Sequence, residues 1–237
     1  MKIKGRFPLV IPVSIILAVC WLLFALTQFS ARFADFSEGY LVGDATKLTL
    51  LNSYRYVTSL FLSNNGFIEL LSNSLFLILL AIPVGKFLRP GKFVSLFLAT
   101  GIMGNLFGEL IVRYVSVHQG DIPIYFSDLG AHGFFVGMST GLTGIAFFCL
   151  PGFLFLRNPF KRANIAAFVI MLLYVLLELI PYAYPLMYSD AFYTLVDYGH
   201  FSGSVAGLLI GTLFVLYNNF ASRGSHLLLS RRPSLPL

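Results

Sequence analysis

Ser139, His200, Asn73 and Glu69 are the side chains with acyl-transfer potential in a chain otherwise dominated by apolar residues. A serine hydroxyl is a weak nucleophile until a base within about 2.6–3.2 Å takes its proton, and an imidazole is the usual base. Asn73 and Glu69 add an amide and a carboxyl, four positions apart on one stretch of sequence. These groups lie far apart along the chain, so any joint chemistry depends on the elements that carry them.

Those elements are membrane spans. The 237 residues are 57% apolar and only 11% charged, with a mean hydropathy of +0.83, where a soluble domain has about a quarter of its residues charged. The apolar residues fall into six blocks, at roughly 8–28, 66–88, 93–115, 133–156, 164–187 and 198–218. Each is about the 20-residue helix that crosses a ~30 Å hydrocarbon core. Lipid offers no partner for unpaired backbone groups, so helices are the expected form. The expected fold is all-α, a polytopic six-helix membrane bundle.

The formal charge of +6 is distributed by segment. Lys2, Lys4 and Arg6 precede the first block, and Lys86, Arg89 and Lys92 lie between the second and third. Arg157, Lys161 and Arg162 lie between the fourth and fifth, and Arg223, Arg231 and Arg232 follow the sixth. Asp35, Glu38, Asp44, Asp121, Asp128, Asp190 and Asp197 occupy the alternate connections. This is the positive-inside pattern, and it predicts both termini in the cytoplasm. A nucleic-acid surface would gather the basic residues on one face of a soluble domain, so nucleic acid is excluded as a partner.

The expected organisation is a cytoplasmic N-terminus at 1–7, a six-span membrane domain over 8–218 and a cytoplasmic tail at 219–237. A long outer connection, about 30–65, is half apolar and is expected to lie partly in the membrane interface. The first block exceeds the 7–15 residues of a signal-peptide core and reads as a retained span. Cys20 and Cys149 sit in mid-span and imply no disulfide framework.

Spans two, four and six would run from the outer face inward. With a fourth helix starting at Gly133, Ser139 would sit about 9 Å down the helix. Glu69, Asn73 and His200 fall at similar depth, in a layer where polar groups usually face the bundle interior or a water-filled cavity. Gly133, Gly137 and Gly141 recur every four residues in the fourth span, as do Gly199, Gly203, Gly207 and Gly211 in the sixth. Such stripes let helix backbones approach closely and are also common as plain packing devices.

With those residues in view, the chain resembles the rhomboid family of intramembrane serine proteases from Tyr54 to Gly211. Gly137-Met138-Ser139-Thr140 resembles the family's Gly-x-Ser-x motif. Asp197-Tyr198-Gly199-His200-Phe201-Ser202-Gly203, followed by Gly207 and Gly211, resembles its sixth-span signature. Asn73 matches the second-span asparagine, and Tyr54-Arg55 matches the Trp-Arg pair of the first outer loop, with Tyr replacing Trp. The resemblance implies Ser139 as nucleophile, His200 as general base, and Asn73 with the Ser139 backbone N–H as oxyanion donors, with Gly137 supporting them; for Glu69 two readings stay open, a carboxyl in the site that is protonated or turned to another partner, and one at the water edge that touches nothing catalytic. It implies no cofactor and no metal. The implied partners are transmembrane protein substrates and the lipid bilayer, in a cell membrane and with a prokaryotic origin as the expectation.

Three departures stand out. Glu69 occupies the place of a histidine, and an ionised carboxylate cannot donate a hydrogen bond. Thr143 replaces a tyrosine one turn past the serine. Ala81 and Gly85 replace a glycine and a glutamate at the inner end of the second span. Among other polar residues, Glu109 and Arg113 are spaced as a helical ion pair. Glu178 lies in the fifth span beside Pro181 and Pro185, and His132 just before the fourth. No His-Glu-x-x-His or phosphate-loop spacing occurs. Two other functions fit less well: a catalytically idle relative that binds spans, and a small transporter using Glu69, Glu109 and Glu178.

Overall fold

The computed structural model describes residues 9–44, 49–63, 66–85, 88–118, 134–135, 137–155, 169, 172–174, 176 and 195–230. The chain begins with helix α1 (Val10–Phe29). At Ser30 the backbone turns extended (φ −136°), which ends α1, and the Ser30 side chain accepts from the Phe33 N–H at 3.3 Å. That contact is an N-cap, and it starts α2 (Ala31–Phe36). A π-helical turn, Ser37–Leu41, leads into the two-residue strand β1 (Gly43–Asp44). Helix α3 (Arg55–Thr58) and a 3₁₀ turn, Ser59–Phe61, follow. The long connection between α1 and the next apolar helix is therefore largely built, where it is described, of short helices.

Next come α4 (Gly66–Val84) and α5 (Pro90–His118), whose proline at the first helical position lacks only an N–H that would have no partner there. Strand β2 (Phe134–Phe135) pairs antiparallel with β1, Gly43 opposite Phe135 and Asp44 opposite Phe134. Helix α6 (Ser139–Phe155) and helix α7 (Leu195–Ser230) complete the described elements. Among the described residues, four helices contain a stretch long and apolar enough to cross a membrane, within α1, α4, α5 and α7, and α6 is a shorter apolar helix of 17 residues. The protein is a multi-pass, helical membrane protein. Of the block read at 164–187, residues 169, 172–174 and 176 are described and helical. Glu178, Pro181 and Pro185 fall outside the described residues, as do His132 and Gly133.

Helix α7 continues to Ser230, beyond its apolar stretch at Gly199–Asn218. One boundary corrects the sequence reading. The fourth span does not start at Gly133: its helix begins at Ser139, and Phe134–Phe135 are strand. Gly137, at φ +116°, cannot continue a right-handed helix, so it belongs to the turn before α6 and not to a helical glycine stripe.

Large apolar side chains point outward, among them Ile11, Ile68 and Leu213. Lipid solvates such residues, so contact between helices rests on close packing more than on hydrophobic expulsion. The sixth-span glycines supply it. A methyl at Gly203 would lie 2.6 Å from the Thr140 carbonyl oxygen, and one at Gly207 or Gly211 would overlap the carbonyl of Gly144 or Phe148. Thr140, Gly144 and Phe148 are successive turns of one α6 face. Gly104 of α5 completes the seam, with its open side 3.0 Å from the Gly199 carbonyl oxygen. Gly141 instead faces Phe97 of α5. The single tryptophan, Trp21, ties α1 to α4 by donating to the Ser74 hydroxyl at 3.1 Å.

Candidate active site

The seam between α6 and α7 sets the site. Ser139 is the first residue of α6, and His200 lies in the second turn of α7. Ser139 Oγ and His200 Nε2 are 2.8 Å apart, a hydrogen bond between helices. Each residue is also fastened to its own helix. Thr143 Oγ1 donates to the Ser139 carbonyl at 2.9 Å, and Ser204 Oγ donates to the His200 carbonyl at 2.8 Å. Both Ser139 and His200 are half-buried, so the pair can be reached from one side.

The corrected start of α6 changes the chemistry available. The first helical hydrogen bond runs from the Leu142 N–H to the Met138 carbonyl at 3.0 Å. The N–H groups of the opening turn, that of Ser139 included, have no intrahelical acceptor. A serine buried in mid-helix would have its N–H consumed by the preceding turn. At the helix start, the N–H groups and the positive end of the helix dipole both favour a negative charge beside the hydroxyl.

The turn that presents Ser139 is held from the connection between α1 and α4. The Gly137 N–H donates to the Ser59 carbonyl at 2.9 Å. Ser59 is fully buried, and its hydroxyl accepts from the Asn105 side-chain amide of α5 at 3.3 Å. The Arg55 guanidinium, buried, donates to the carbonyls of Val42 and Gly39, which fixes the connection beside β1. The β1–β2 pairing then fixes the strand leading into Gly137.

Glu69 reaches this turn from α4. Its Oε2 accepts from the Ser63 hydroxyl at 3.0 Å. Its Oε1 lies 2.9 Å from the point where a Gly137 side chain would begin, and Ser139 Oγ lies 3.5 Å from the same point. Asn73 is buried one turn further along α4, on the face that also buries Leu70, Leu77 and Leu80. Ser139, His200, Gly137 and Glu69 thus converge on one place, with Asn73 a helical turn from Glu69.

Gly137 has two reasons to be glycine, its positive φ and the Glu69 carboxylate against its open side. We expect Gly137→Ala to lower stability by about 1–3 kcal/mol through backbone strain. Thermal unfolding in detergent checks this, and a change under about 0.5 kcal/mol, the scatter of neutral surface substitutions, would contradict it.

A hydroxyl bonded to an imidazole, beside N–H groups that have no intrahelical acceptor, can attack a carbonyl and stabilise the resulting oxyanion. The chain matches the family model described as the Rhomboid domain over residues 51–217. It belongs to the rhomboid family. Rhomboids are in general intramembrane serine proteases that act on transmembrane substrates, and inactive relatives exist. No curated relative and no solved structure matches this chain.

Several features of this rhomboid were not singled out from sequence. Tyr174, buried on the fifth span, brings its hydroxyl within 3.5 Å of Thr143 Oγ1 and stacks edge-on against Phe76 of α4. A phenol thus approaches the Thr143 position from a different helix. Ser59 and Asn105 were also missed. A polar residue four before Glu109 on the same span was a usable signal for Asn105, because such groups face inward. Glu109 is buried and accepts from the Tyr56 hydroxyl of α3, whereas the Arg113 side chain lies outside the described residues.

Proposed function

We propose that this rhomboid is an intramembrane serine endopeptidase that cuts transmembrane segments of other proteins near the outer face of the membrane. The observation that carries the reading is the 2.8 Å contact between Ser139 Oγ and His200 Nε2. Ser139 Oγ attacks the scissile carbonyl carbon while its proton passes to His200 Nε2. The carbonyl oxygen becomes an oxyanion, met by the Ser139 N–H and the Asn73 amide, each donor typically worth about 2.7–4 kcal/mol. The C–N bond then breaks, and His200 returns the proton to the leaving amine. Water repeats the sequence with His200 as base and frees the acyl fragment.

The topology that goes with this reading has six spans and both termini in the cytoplasm, so that the outward ends of the second, fourth and sixth spans line the cavity. Water has to enter from that side, because hydrolysis consumes one molecule per bond cut. The half-exposure of Ser139 and His200 supports such an opening.

The test is cleavage of single-span proteins by the purified chain in liposomes. Wild-type protein is expected to give two fragments from at least one substrate, with the cut in the outer part of its span. Ser139→Ala is expected to give none. Equal cleavage by both proteins would overturn the proposal, as would intact substrates throughout, the behaviour of an idle binding relative.

A further inference from the structure

The carboxylate of Glu69 is not accounted for by the acyl-transfer steps. One oxygen, Oε2, has a structural role: it accepts from Ser63, whose hydroxyl also lies 3.3 Å from the Gly66 carbonyl, at the start of α4. An acidic residue in a first helical turn is favourable there in any case. Oε1 is different, because it is turned toward the Gly137 Cα and lies against the turn that carries Ser139. Glu69 is only partly buried, so this negative charge borders accessible space.

From this placement we infer that Glu69 is a specificity-determining residue, selecting substrate segments with a basic or hydrogen-bond-donating side chain next to the scissile bond and rejecting acidic ones. The inference rests on the protease reading and adds a substrate class to it. Residues flanking the scissile carbonyl lie about 3.8 Å from one another along the chain. The side chain of the residue that supplies this carbonyl hangs from a Cα only ~1.5 Å from the carbon that Ser139 attacks, so it starts near the turn against which Glu69 lies. A carboxylate accepts hydrogen bonds and cannot donate them, so it pairs with ammonium, guanidinium, hydroxyl or amide groups and repels a second carboxylate. Two unit charges about 4 Å apart, in the effective dielectric near 20 of a protein surface, change a binding ratio by at least ~10-fold. An apolar membrane segment with a single basic or polar residue at its outer end has this chemistry.

The experiment compares two fluorophosphonates with the purified full-length protein in detergent. One carries a neutral alkyl arm and the other an arm of equal length ending in a guanidinium. The rate of covalent labelling is measured for each with wild type and with Glu69→Gln, a near-isosteric change that removes the charge. Wild type is expected to react at least ~10-fold faster with the cationic probe. Glu69→Gln is expected to bring the ratio of the two rates to about 1, because any general effect on reactivity cancels in that ratio. Labelling by both probes with the same ratio in both proteins would overturn this inference and leave the protease reading standing. Labelling by neither probe would overturn both.

Discussion

Ser139→Ala and His200→Ala are each expected to lower substrate cleavage by about 10⁴-fold or more, and the double variant is expected to be no slower than Ser139→Ala alone. The non-additivity follows from the proposed mechanism, in which the 2.8 Å contact lets the two residues act as one unit. Without the hydroxyl, the imidazole has no proton to take. Without the imidazole, the hydroxyl keeps its proton and remains a poor nucleophile. Two independent contributions would multiply instead. The fold should survive these changes, because both residues are half-buried and the helix seam is made by other atoms. Cleavage rates in liposomes, with thermal unfolding of each variant as the control, check this. A double variant markedly slower than either single one would contradict it.

The second large effect is expected at Gly207, away from any reacting atom. A methyl there would overlap the Gly144 carbonyl of α6, and a backbone oxygen cannot rotate away as a side chain can. We expect Gly207→Ala to cost about 3 kcal/mol, at the upper end of the range for overpacked cores. If the helices relieve the overlap by separating, His200 moves from Ser139, and a 1 Å misplacement of reacting groups typically costs about 100-fold in rate. Gly91 is the contrast: nothing lies within 4 Å of its open side, so Gly91→Ala should change stability by less than about 1 kcal/mol. Unfolding and cleavage measured on both variants test the pair. A Gly207→Ala protein as stable and active as wild type would show that the close seam is not needed.

The legibility of this fold in its sequence follows from where each signal resides. Spans such as α1 and α4 are visible because lipid demands a continuous apolar run of fixed length. The sixth-span glycines are visible because four-residue spacing is a local property of one helix. The start of α6 was not visible. Phe134, Phe135 and Val136 are as apolar as any helix start, and what makes Phe134–Phe135 strand is a partner about 90 residues earlier, at Gly43–Asp44. A comparably long separation hid Ser59, whose carbonyl holds the turn before Ser139. Glu69 could be flagged as an odd residue beside Asn73, but its approach to Ser63 and Gly137 depends on how α4 meets the turn. Tyr174 carried no signal, since one tyrosine in an apolar span is unremarkable until the span is packed.

The proposed protease activity turns on one question, whether His200 makes Ser139 nucleophilic. Peptide mapping by mass spectrometry after reaction with a neutral fluorophosphonate answers it. The predicted result is a single adduct on the peptide containing Ser139, with a labelling rate at least ~100-fold lower in His200→Ala. An adduct on a different serine, or an unchanged rate at Ser139 without His200, would contradict it.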